Sequence, residues 1–197
     1  KKDKATSNIC TSQALLANTS SMYAIYHGKE NIINISKDIS SKTYILRELI
    51  SRKYEVEKCD IYGSFLVKLD EVNRNIIFQN LLNKGIELRK VKQGLIISIN
   101  ENTNLHILSN LSRQFGILTT KKEIKNLIYN LKIDNFRDKD SFLNQGIFKY
   151  GKSESEMMRY ISSLADRDYS LINGMIPLGS CTMKLNATTE MEPLSWD

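Results

Sequence analysis

Between residues 30 and 131 the spacing of apolar side chains switches from helical to alternating and back, twice over, and few folds accommodate that order. Glu30 to Arg52 carries Ile32, Ile35, Ile39, Ile45, Leu46 and Leu49 on one stripe, the pattern of a long amphipathic helix. The period then changes. Tyr54–Glu57 and Ser64–Leu69 are short and rich in β-formers, separated by Gly63, and predict two strands. Asp70 predicts the N-cap of a helix running to Lys84 and stopped by Gly85. Ile86–Arg89 and Leu95–Ile99 predict two more strands with a turn near Gln93-Gly94, and Asn104–Phe115 and Lys121–Leu131 predict two helices. The order implies a compact α+β unit, with a small antiparallel or mixed sheet covered by helices.

The flanks are simpler. Thr11 to His27 predicts a helix through Leu15, Leu16, Met22, Ile25 and Tyr26, with Gly28 as its C′ residue. Asp134 to Gly151 is charged and aperiodic and reads as a linker. Ser153 and Glu156 have capping-box spacing. They predict a helix through Met157, Tyr160, Ile161 and Leu164 to about Asp166. There is no internal repeat.

With 197 residues, the chain has room for one domain, or one and part of another. Its 41% hydrophobic and 25% charged residues suit a soluble globular protein. No apolar run approaches the roughly 18 residues of a membrane span. Lys1-Lys2-Asp3-Lys4 is followed by no apolar run and is not a secretory signal. The missing initiator Met points to truncation or processing. A net charge of +6 invites a nucleic-acid partner. However, the lysines alternate with acids, as in Lys121-Lys122-Glu123-Ile124-Lys125, and no basic stripe carries aromatics, so a solvated surface is the better reading. Cys10, Cys59 and Cys181 are an odd set without CxxC spacing. That pattern argues for reduced cytosolic thiols rather than disulfides or zinc. The four Asn-x-Ser/Thr sequons, at Asn18, Asn34, Asn110 and Asn186, are then chance matches.

No metal set is visible, since His27 and His106 are the only histidines and lie far apart. Neither a Walker loop nor a Rossmann fingerprint occurs. The segment of greatest interest is Gly174 to Thr188, which groups Pro177, Gly179, Ser180, Cys181, Thr182 and Lys184. One reading is an anion-binding turn, in which glycine admits close backbone approach, Ser180 and Thr182 donate hydroxyls and Lys184 adds charge. The other is a tight turn leading into a domain. Lys184 invites a Schiff-base role, but that needs a depressed pKa, and an anion-pairing or surface lysine fits the residues as well. Cys181 suits a small buried side chain better than a nucleophile.

Ser170-Leu171-Ile172-Asn173-Gly174-Met175-Ile176-Pro177-Leu178-Gly179-Ser180-Cys181-Thr182-Met183-Lys184-Leu185-Asn186-Ala187-Thr188 resembles the start of the C-terminal half of glycine dehydrogenase (decarboxylating), the P-protein family of the glycine cleavage system. Ser153 to Tyr160 is similar to that family's preceding helix. A second resemblance lies at the other end, in Lys4 to Ala17 with Met22-Tyr23-Ala24-Ile25-Tyr26-His27-Gly28, and matches a segment late in the family's N-terminal half.

The resemblance implies an α/β pyridoxal-phosphate enzyme of the aspartate-aminotransferase type (fold type I), α+β locally, built from two homologous halves. On that basis residues 1–29 end the large domain of the first half and 30–133 form its small domain. Residues 134–151 are the linker, and 152–197 start the second half. It implies glycine as substrate, pyridoxal 5'-phosphate as cofactor, transfer of the aminomethyl group to the lipoyl arm of H-protein, and a homodimer or two-subunit assembly. It also implies a cytoplasmic location, or a mitochondrial one in a eukaryote. The family's Schiff-base lysine follows a histidine. No His-Lys pair occurs here, so that lysine is expected beyond Asp197 and Lys184 is not assigned its role. No catalytic residue is therefore expected within the chain, and the isolated chain is expected to be inactive. Ser180, Thr182 and Lys184 are the residues expected near cofactor or substrate, with Ser7, Asn8 and Thr11 second. Lys152 stands where the family has histidine, Ser155 where it has threonine, and Asp197 where it has proline. The competing expectation is a non-catalytic α+β assembly or interaction module.

Overall fold

In a computed structural model of the chain, residues 12–57, 62–131, 142–149, 153–167, 189 and 192–196 are described. Helix α1 spans Ser12–Ser51, followed by strand β1 (Ser64–Lys68), helix α2 (Glu71–Leu82) and the hairpin strands β2 (Arg89–Val91) and β3 (Gly94–Ser98). Helices α3 (Leu105–Gln114), α4 (Lys121–Asn130) and α5 (Glu154–Ala165) complete the regular elements, with short 3-10 turns at Gly146–Lys149 and Glu192–Ser195. The chain divides into two compact units, Glu30–Asp140 and Lys1–Lys29 with Ser141–Asp197.

The larger unit is α+β, as its residue order predicts. Its sheet is antiparallel throughout, in the order β1-β3-β2. Phe65 pairs with Ile97 and Val67 with Leu95, and paired residues share a face. All four are buried. They join Leu46, Leu49 and Ile50 of α1, Ile77 and Leu81 of α2, Leu108 and Leu111 of α3, Phe115, and Ile124 of α4 in one core. The helical stripe predicted for Glu30–Arg52 is therefore the stripe that packs. β2 is an edge strand, and Arg89 and Lys90 on it are exposed.

Two strand assignments shift. Tyr54–Glu57 is not a strand but makes one isolated bridge, Val56 to Val67. The chain leaves α1 through a turn in which Lys53 and Tyr54 both donate to the Ile50 carbonyl, leaving only Glu55 to Glu57 extended beside β1. The strand expected at Ile86–Arg89 begins instead at Arg89. Ile86 N–H is used to close α2, donating to Leu81 O while Gly85 N–H donates to Leu82 O, the Schellman arrangement. Within the stretch read as a linker lies the 3-10 turn Gly146–Lys149. Gly28 leaves helical backbone space (φ 65, ψ 173) and parts α1 into two helices, so the first ends where the sequence predicts.

Polar side chains fasten these elements. Asp70 caps α2 as predicted, accepting from Asn73 N–H at 3.0 Å. The Ser153/Glu156 capping box is formed, and a second box, Thr120/Glu123, starts α4. The Arg74 guanidinium of α2 donates to Val91 O (3.0 Å) and Lys92 O (2.6 Å), tying the hairpin turn to the helix. Ser109, Ser112 and Thr119 form a buried hydroxyl cluster. Ser109 donates to Thr119 O at 2.8 Å and Ser112 to Ser109 O at 3.0 Å, so Thr119 supplies the proton between the Ser112 and Thr119 hydroxyls.

Gly94 has no room for a side chain, because a Cβ there would lie 1.9 Å from the Val67 carbonyl oxygen. Gly94→Ala is expected to destabilise the fold by about 3 kcal/mol, as overpacking against backbone does. Gly146→Ala, where a Cβ meets nothing within 4 Å, is expected to stay within about 0.5 kcal/mol of the parent. Urea denaturation of both variants checks the contrast.

Candidate functional site

The residues singled out from sequence, Ser180, Thr182, Lys184, Ser7, Asn8 and Thr11, lie outside the described residues, as do the whole 174–188 segment and all three cysteines. Two elements adjoining those segments in sequence are described: the first half of α1, and α5.

They belong to the same unit and line one groove of about 440 Å³, formed by Asn18, Thr19, Met22, Tyr23, Tyr26 and Met157. Among the described residues its lining carries no charged side chain. The Thr19 hydroxyl donates to Leu15 O at 2.9 Å, which uses its only proton within the helix. Such a lining accepts apolar or aromatic surface. At its edge Tyr23 and Tyr26 place their rings 4.3 and 5.2 Å from the His27 ring. The i, i+3 and i+4 spacing of these residues puts them on one helix face, a signal in the sequence that the reading by motif passed over. Beyond Gly28, Lys29 Nζ donates to Asn144 Oδ1 at 2.9 Å and stands 5.6 Å from the Phe142 ring centre.

The histidines are apart from one another in chemistry as well as in sequence. His106 meets Asn110 Nδ2 through Nε2 at 3.2 Å on the surface of α3. Among the described residues no cluster of three or more His, Cys, Asp or Glu is placed to hold a metal ion. No described helix is long and apolar enough to cross a membrane.

The clear pKa shifts serve the fold. Hydrogen bonds from Asn73, the backbone N–H first, hold the Asp70 carboxyl below its ordinary value. Hydrogen bonds from Thr120, again the backbone N–H first, do the same for Glu123. Lys68 is raised by its hydrogen bond to Glu55, at 2.6 Å.

Residues 1–115 match the family described as glycine cleavage system P-protein. The chain belongs to that family. Over its whole length it is 39% identical to a protein named glycine dehydrogenase (decarboxylating) from Aliivibrio fischeri strain MJ11, in an alignment of 204 residues that covers 21% of that protein. Proteins of the same name from Pelagibacter ubique strain HTCC1062 and Nitrobacter hamburgensis strain DSM 10229 are each 38% identical, again over all of this chain and 21% of their own length. The chain thus spans about a fifth of the relatives it matches.

Depressed carboxyls stabilise the fold above their unfolded-state values, and that contribution disappears as pH falls through the folded values. Stability is therefore expected to fall below about pH 4. Glutamine also completes a capping box, so Glu123→Gln is expected to keep the neutral-pH melting temperature and flatten the acid slope. Thermal melts between pH 2 and pH 7, as a rough range around the carboxyl pKa values, test this.

Proposed function

We propose that this chain is part of a glycine dehydrogenase (decarboxylating), which removes carbon dioxide from glycine and passes the aminomethyl group to the lipoyl arm of H-protein. The observation that carries the proposal is 38–39% identity, over the whole chain, to bacterial proteins of that name. The proposed cofactor is pyridoxal 5'-phosphate, which when bound supplies an electron sink for the charge left at the glycine α-carbon as carbon dioxide departs.

Within that reading the enzyme is of fold type I, with a homodimeric or two-subunit assembly and a cytoplasmic location. Residues 1–29 close the large domain of the first half, 30–133 form its small domain, 134–151 link, and 152–197 open the second half. The residue order supports the assignment of the small domain, since an α+β unit falls there. Ser180 and Thr182 are proposed to donate hydroxyl hydrogen bonds to an anionic group, the cofactor phosphate or the glycine carboxylate. Lys184 is proposed to pair with the same anion as a fixed charge. Ser7, Asn8 and Thr11 are proposed to lie beside that site. Carbon–nitrogen chemistry with the cofactor falls to a lysine outside this chain.

Two measurements test this. Replacing the matching segment of the Aliivibrio fischeri protein with this chain is expected to preserve glycine-dependent bicarbonate exchange in the presence of H-protein. In that chimera Lys184→Ala is expected to weaken glycine or cofactor binding by about tenfold, which is about 1.4 kcal/mol. A chimera that folds but lacks exchange activity refutes the function. Unchanged binding in the Lys184 variant refutes the site. Incubation of the 197-residue chain with pyridoxal phosphate and borohydride is expected to label no single lysine, and specific labelling of Lys184 would reverse the role given to it.

A further inference from the structure

The helices take one face of the small sheet, through Phe65, Val67, Leu95 and Ile97. The other face belongs to the alternate residues. An antiparallel sheet that leaves a face to water commonly makes that face polar. Here its centre is apolar. Leu66, Ile96 and Val91 are partly buried and stand outside the core cluster. The registers fix the layout. Leu66 pairs with Ile96, and Ile96 with Arg89. Beyond β1, Val56 pairs with Val67 and Glu57 N–H donates to Leu66 O at 3.0 Å, so Glu57 falls beside Leu66. One row therefore crosses the face as Glu57, Leu66, Ile96, Arg89, with an acid at one end and a base at the other. The rows on either side close on themselves. The Ser64 and Ser98 hydroxyls meet at 2.9 Å, and Lys68 Nζ donates to Glu55 Oε1 at 2.6 Å. Glu57 and Arg89 are exposed, and among the described residues neither is in an ion pair.

We propose that this face docks on the same face of a second copy of the chain. A two-fold axis lying between the faces and running along the strands reverses the row. Glu57 then meets the partner's Arg89 at each end, and Leu66 and Ile96 meet between them. Such an interface is isologous, and it keeps the strands of the two sheets aligned, as stacked sheets favour. An axis running across the strands would set Glu57 on Glu57 and Arg89 on Arg89, so charge selects the first arrangement. The contact is face to face and leaves the edge of β2 unpaired. At sheet spacings the face covers about 300 Å². That is less than half of the roughly 800 Å² each partner gives a standard interface. The association is therefore weak, with Kd between about 10 μM and 1 mM. It rests on the register of the sheet and is independent of the proposed chemistry.

Sedimentation equilibrium of the 197-residue chain between about 10 μM and 1 mM is expected to show monomer and dimer. Glu57→Arg and Arg89→Glu each turn both end pairs into like charges. Either variant alone is expected to dimerise about tenfold more weakly. An equal mixture of the two restores an acid–base pair at both ends, and is expected to associate about as tightly as the parent. Ile96→Thr keeps β propensity at a position outside the core, and is expected to weaken dimerisation severalfold. A parent that stays monomeric at about 1 mM overturns the proposal. So do charge reversals that leave the dimer unchanged, and a mixture no tighter than either variant alone. Should a reversal fail to fold, Glu57→Gln and Arg89→Gln remove the pairs without adding repulsion. An unchanged dimer in both then overturns the proposal, and weakening in both supports it.

Discussion

The backbone of β1 passes so close to Gly94 that only a hydrogen atom fits between them, and the register of the whole sheet follows from that approach. Gly94 is paired on one side with Lys68 and on the other with Val91. A shift of either neighbour by one residue would put a side chain where none fits and turn every buried residue of the strand outward. With Gly94 in place, Phe65 meets Ile97 and Val67 meets Leu95 on the face that the helices cover. Arg74 then holds the turn between β2 and β3 from outside, through carbonyls that a shifted hairpin would no longer present.

The polar interactions of the larger unit have a common purpose. Helix starts at Asp70, Asn104 and Thr120 are each satisfied by a side-chain oxygen, and the ends of α2 and α3 close on backbone carbonyls. The Ser109–Ser112–Thr119 cluster sits among apolar neighbours with each hydroxyl paired, which removes the cost of burying it. The ionisable groups that shift clearly are two of these caps and one surface pair. Among the described residues, both lowered carboxyls belong to helix starts.

Much of this was legible in the residues because local chemistry decides it. Asp70 and Ser153 announce helix starts by hydrogen bonds that span a few residues. The stripe from Ile39 to Leu49 announces a buried face by its period alone. The errors have two sources, a local helix closure in one case and a partner distant in sequence in the other. Ile86 has the β propensity of a strand, but its N–H is committed to α2. Val56 looks like the centre of a strand, but only one bridge reaches it. The Thr120–Glu123 box was visible at the same spacing as the one at Ser153 and went unread. For the site, family resemblance identified segments at both ends of the chain. Spacing alone could not choose between an anion turn and a structural turn, because that choice depends on what approaches Gly179 and Lys184 from elsewhere.

Among the described residues β2 stands at the margin of a three-stranded sheet. Unpaired peptide groups along such a margin template the addition of another strand. Here the strand is only three residues long and carries Arg89 and Lys90, with the Lys90 ammonium 5.5 Å from the Phe78 ring centre. A second copy approaching in antiparallel fashion would bring its own two cations against these. The sheet therefore ends by charge repulsion as well as by lack of strand length. That guards the chain against self-assembly through this edge, and the protection should weaken as salt screens like charges.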